Sequence, residues 1–146
     1  MNPRSTVRIG GHPVHPMFVP FVIAFYVAAF LADIGFAYTG DPFWARGALW
    51  LIGAGIVASA IAATIGLLDF LFEPAIRELR AAWWHFGGNV LMTLISIVDW
   101  VLRYGVGAEA GSRAYLWMSL LVVVLLVFNG WKGGELVYRH RVGVQD

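Results

Sequence analysis

Four histidines are the residues best suited to chemistry in this chain: His12, His15, His85 and His140. The stretch "GHPVHP" sets His12 and His15 three residues apart, just ahead of a long apolar run. Neutral imidazole is the commonest protein ligand for transition metals and for haem iron. Two chemistries therefore compete. In one, His15 and His85 face each other across a helix bundle as axial ligands of a non-covalent haem b, with His12 and His140 as outer groups. Asn89 lies one turn beyond His85. Arg8, Arg77 and Arg139 are placed to meet propionates, and Gly66, Gly87, Gly88, Gly130, Gly133 and Gly134 leave room for a macrocycle. In the other, the same histidines join Asp69 or Glu135 to hold bare zinc, iron or manganese. H-x-x-H alone is a weak signal, and the HExxH pattern of zinc hydrolases is absent. A proton relay or quinone site is a third use of these histidines and carboxylates. The plain alternative is structural, each imidazole simply bonding a backbone carbonyl or a neighbouring carboxylate.

The elements that must position these groups are membrane helices. Of 146 residues, 60% are hydrophobic and only 13% charged, with a mean hydropathy of +0.73. An ordinary soluble domain carries about 25% charged residues. The net charge of +1 gives no basic field for nucleic acid. The absence of cysteine excludes disulfides, iron–sulfur clusters and thioether-linked haem. Four segments are long and apolar enough to cross a bilayer, at about 17–38, 48–71, 84–102 and 115–131. "YTGDPF" and "YGVGAEAGSR" connect them on one side, and "EPAIRELRAAWW" on the other, as a short interfacial helix. Arg4 and Arg8 before an apolar run resemble the start of a signal peptide, but the run is long for that and Asp33 stands where cleavage would fall. A retained first helix is expected. No internal repeat is legible, and the length fits a single domain.

An even number of spans puts both termini on one side. That side carries Arg4, Arg8, Arg77, Arg80, Lys132, Arg139 and Arg141, against Arg46, Arg103 and Arg113 opposite. The positive-inside rule makes the first side cytoplasmic. All four histidines, with Asp69, Glu73 and Glu135, then collect at the cytoplasmic end. Helical faces agree: His85, Asn89, Met92, Ser96 and Asp99 share one, and Gly55, Ser59, Ala62, Gly66 and Asp69 another. His15, Val22, Tyr26 and Asp33 form a third. At the far end Asp99 reaches Arg103 one turn away, and Asp33 has Arg46 or Arg103 as counter-charge.

"GGHPVHPMFVPF", "GLLDFL" and "GWKGGELVYRHRVGV" resemble the signature segments of domain of unknown function 2231, a bacterial family of small four-helix membrane proteins. The resemblance covers almost the whole chain. It marks His12, His15, His85, Glu135, Arg139 and His140 as characteristic positions. Where the family usually reads H-G-V-G-V, this chain has H-R-V-G-V from His140. The resemblance implies an all-α integral membrane four-helix bundle in the bacterial cytoplasmic membrane. It brings no activity, although joining to Rieske-like modules in some relatives implies an electron-transfer setting. The expectation is a multi-pass protein that binds haem b or a transition metal at its cytoplasmic end. It would meet a redox partner, with or without forming a homo-oligomer.

Overall fold

A computed structural model describes residues 2–144 of the chain. A two-residue antiparallel hairpin, β1 (Arg8–Ile9) and β2 (His12–Pro13), opens it, turning through Gly10 and Gly11, both at positive φ. The helices are α1 (His15–Thr39), α2 (Pro42–Phe72), α3 (Pro74–Arg77), α4 (Arg80–Val106) and α5 (Ser112–Gly134). A π-helical turn, Glu135–Arg139, continues α5. The four long helices correspond to the four expected spans and are apolar enough to cross a membrane.

The helix ends follow from local chemistry. Pro16 sits in the first turn of α1, where its missing N–H costs nothing. Gly40 ends α1 in the left-handed conformation, its N–H returning to the Phe36 carbonyl. Asp41 caps α2, its side chain accepting from Phe43 N, with Pro42 at the first helical position. These two signals begin α2 six residues before the expected residue 48. The interfacial helix expected in "EPAIRELRAAWW" shrinks to the single turn α3, because α4 already starts at Arg80.

The helices contact in the ring order α1, α2, α4, α5 and back to α1, so α1 faces α4 across the middle. The interior is more polar than the rim. Tyr26, Asp33, Ser59, Ser96, Asp99, Arg103, Ser119 and Asn129 are buried, whereas Leu31, Trp50, Val57, Leu94, Val101 and Val127 are exposed. That inversion suits a bundle whose surroundings are as apolar as leucine. Val22, Tyr26, Ala58, Ala62, Met92 and Val122 form the central apolar cluster.

The structure also contains an internal repeat, which the sequence does not display. His15 on α1 bonds the Ala62 carbonyl on α2, and its ring lies against Gly66, one turn on. His85 on α4 bonds the Asn129 carbonyl on α5, and its ring lies against Gly133, one turn on. The α1–α2 hairpin thus matches the α4–α5 hairpin about a pseudo-twofold axis along the bundle. Residues 70 positions apart meet on that axis: His15 with His85 at one end, Asp33 with Arg103 at the other. Burial agrees at the levels between, with Val22 and Met92, Tyr26 and Ser96, and Ala29 and Asp99 all buried. Matched residues differ in type almost everywhere, so the repeat leaves little trace in the sequence.

At the end carrying both termini, an N-terminal strap is tied down by Asp69. Its carboxylate accepts from Ser5 Oγ and from the amides of Thr6 and Val7. Gly143, at positive φ, donates its N–H to the Pro3 carbonyl and so joins the C-terminal tail to the same strap.

Candidate functional site

The axis has two polar ends. At the far end Arg103 is fully buried between two carboxylates. Its Nη1 and Nη2 donate to Asp33 at 2.6 and 2.7 Å, and its Nε and Nη2 to Asp99 at 2.9 and 3.1 Å. Nη2 also reaches the Tyr115 carbonyl, and the Tyr115 ring lies 4.7 Å from the guanidinium carbon. One arginine therefore serves both aspartates. Arg46, the other candidate for Asp33, lies exposed beside Glu109 instead. With all three guanidinium nitrogens engaged, this end is a lock between the two hairpins rather than an open site.

The opposite end holds the imidazole pair. The His15 and His85 ring centroids are 6.3 Å apart, with planes at 83°. Each Nδ1 contacts a backbone carbonyl, at 2.8 Å for His15 to Ala62 and 2.9 Å for His85 to Asn129. A carbonyl only accepts, so Nδ1 carries the proton and the lone pair of each neutral ring is on Nε2. Metal-binding histidines are typically oriented in this way by their other nitrogen. Gly66 and Gly133 make the arrangement sterically feasible. A Cβ on either would stand only 3.1 or 3.0 Å from the imidazole beside it.

The remaining predicted residues share this end but do not converge on the pair. His12 is exposed in the hairpin, with Nδ1 on the Gly10 carbonyl. Asp69 holds the strap, and Arg8 Nε donates to the Ser5 carbonyl. Arg77 donates to the Leu71 carbonyl. Asn89 turns back to donate to the His85 carbonyl on its own helix. His140 and Arg139 lie near Glu135, which is bonded to Lys132. Among the described residues, no three of His, Cys, Asp and Glu come together in a way that could hold a metal ion.

Three of the six glycines expected to make room for a macrocycle have other occupants. Gly66 and Gly133 receive the imidazoles, and Gly88 receives the Asn129 carboxamide, while Gly87 and Gly130 face open space. Asn129 is the residue the sequence reading missed. It is 2% exposed, supplies the carbonyl for His85 and leaves its own Oδ1 without a hydrogen-bond partner. The signal for it was the match between Gly66 and Gly133, each one turn beyond a histidine's carbonyl. Two hollows lie elsewhere. One is a groove of about 620 Å³ on the π-helical turn. The other is a narrow gap beside Tyr26, Ser96, Asp99 and Ser119, with no space wide enough for a water.

No curated protein and no solved structure matches the chain. The profile of the predicted membrane protein family DUF2231 matches residues 11–146. Four membrane-length helices and a match over nearly the whole chain lead to one conclusion: this is a multi-pass membrane protein belonging to the family of domain of unknown function 2231.

Proposed function

We propose that the protein is an electron-transfer component of the bacterial inner membrane that holds a non-covalent haem b between His15 and His85, near a cytoplasmic end. The carrying observation is the imidazole pair itself. Two rings 6.3 Å apart, each with its proton tied to a carbonyl, leave two Nε2 lone pairs as ligand atoms. Ligand count favours haem over a bare ion, because only two protein nitrogens are offered here. A structural zinc site takes four protein ligands and a catalytic one three, whereas a porphyrin brings its own equatorial nitrogens. When bound, the haem would supply a one-electron iron centre. The chain's part is to fix both rings against their glycines and carbonyls, and to surround them with apolar helix. Seven basic residues on the side of the termini support the cytoplasmic assignment.

A bare transition-metal ion is the second reading, favoured by one observation: the imidazoles and the Asn129 carboxamide already fill the space beside Gly66, Gly133 and Gly88. A macrocycle requires the two hairpins to part at this end, and an ion does not. The deciding experiment is an absorption spectrum with metal analysis on detergent-purified protein. Haem gives a Soret band that disappears in His15→Ala and in His85→Ala. Stoichiometric metal without that band selects the second reading. Neither band nor metal overturns both and leaves the pair as a packing contact.

A further inference from the structure

The groove on the π-helical turn lies outside the imidazole pair, and its chemistry is distinct. It is lined by Trp131, Lys132, Gly134, Glu135, Tyr138 and Arg139. These residues belong to one face of α5 and its continuation, so the groove opens outward from the bundle. Glu135 accepts from Lys132 at 2.8 Å and lies 3.5 Å from Arg139, so one carboxylate stands among two permanent cations. The Arg139 side chain is 76% exposed and approaches Glu135 through Nη1 at 3.5 Å, so its guanidinium is accessible from outside the bundle. Trp131 and Tyr138 flank the cations and are 76% and 88% exposed. Aromatic rings of this kind collect at the level of lipid headgroups.

The internal twofold shows that the scaffold does not require these charges. Gly133 corresponds to Gly66, so the positions matching Lys132, Glu135 and Arg139 on α2 are Ile65, Leu68 and Phe72. One hairpin therefore ends in an apolar face and the other in a charged groove. A π-helical turn within the groove is a second departure from regularity, of a kind common at functional sites.

We propose that this groove binds the headgroup of an anionic phospholipid. The phosphodiester pairs with the accessible guanidinium of Arg139 and with Lys132, and the acyl chains lie along the exposed apolar side of α5 between Trp131 and the membrane interior. Glu135 holds Lys132 in place and limits the net charge, so that one added negative charge is neutralised rather than repelled. The assignment is independent of any cofactor at the imidazole pair.

Native mass spectrometry of the full chain in detergent tests it, comparing phosphatidylglycerol, phosphatidylcholine and inorganic phosphate at equal concentration. Phosphatidylglycerol should be retained as discrete adducts well beyond phosphatidylcholine. Lys132→Gln and Arg139→Gln should each weaken retention about fivefold, while Arg113→Gln at the other end of α5 leaves it unchanged. Thermal melts of each variant check that the fold survives. Equal retention of the two lipids, or full retention in a folded double variant, overturns the proposal. So does displacement of the lipid by inorganic phosphate, which would make the site one for free phosphate.

Discussion

Asp33 and Arg103 are 70 residues apart in the chain and 2.6 Å apart across the bundle axis. The separation equals that between His15 and His85, so the ion pair and the imidazole pair are two levels of the same twofold interface. Asp33 makes the bond across the axis, while Asp99 reaches Arg103 from one turn away on the same helix. Asp33 therefore joins the hairpins, and Asp99 supplements it.

That difference sets the expected ranking of variants. Arg103→Ala leaves two buried carboxylates without their cation and should destabilise the protein by about 3–5 kcal/mol. Asp33→Asn should lower the melting temperature in detergent more than Asp99→Asn. Neither should change haem or metal content, since both act at the far end. Loss of cofactor without loss of stability would relocate the binding site.

Filling the glycine notches should act on the imidazoles directly. Gly66→Ala brings a Cβ to 3.1 Å from His15, and Gly133→Ala to 3.0 Å from His85. The expected cost is about 1–3 kcal/mol of overpacking, together with loss of the proposed haem or metal. Gly87→Ala and Gly130→Ala, which meet nothing within 4 Å, should keep full binding. Binding unchanged in the Gly66→Ala, Gly133→Ala double variant would show that ring position is immaterial.

The repeat can be tested by rebuilding one half in the image of the other. Phe18 and Ala62 in the first hairpin stand where Gly88 and Asn129 stand in the second, a large residue facing a small one in each case. Gly88→Phe alone puts a Cβ into the Asn129 carboxamide and should be strongly destabilising. Asn129→Ala removes a buried amide with one unsatisfied oxygen and leaves a void. The double variant should recover stability, with a coupling of about 0.5–3 kcal/mol between the two sites. Additive effects in thermal melts would argue against the equivalence.

The proposed orientation rests on loop charge and is checked with fusions. A C-terminal reporter that works only in the cytoplasm should be active, and one that works only in the periplasm silent. Burial of Arg103 strengthens the asymmetry, leaving Arg46 and Arg113 as the basic residues on the far side. The reverse pattern would place the imidazole pair and the basic groove on the opposite face of the membrane.

The sequence by itself determined four membrane helices, because a run of about 20 apolar residues has few other ways to satisfy its backbone. Its 3.6-residue period also identified the inward stripe from His85 to Asp99 and the partnership of Asp99 with Arg103, which needs only one helical turn. Period and composition are local properties, and these findings rest on nothing else. Helical faces also put His15 and His85 forward as the facing pair, but only the tertiary structure decided that they meet. His12 and His140 are as close to that end in sequence terms as His15 and His85, but a turn of hairpin and a π-helical turn direct them elsewhere. Which imidazole faces which depends on Gly66 and Gly133, whose missing side chains admit the rings. It depends equally on the Ala62 and Asn129 carbonyls, which have no side-chain identity for a sequence to display. The twofold repeat was hidden for the same reason: its two halves preserve position and burial while exchanging residue types, as Asp33 does with Arg103.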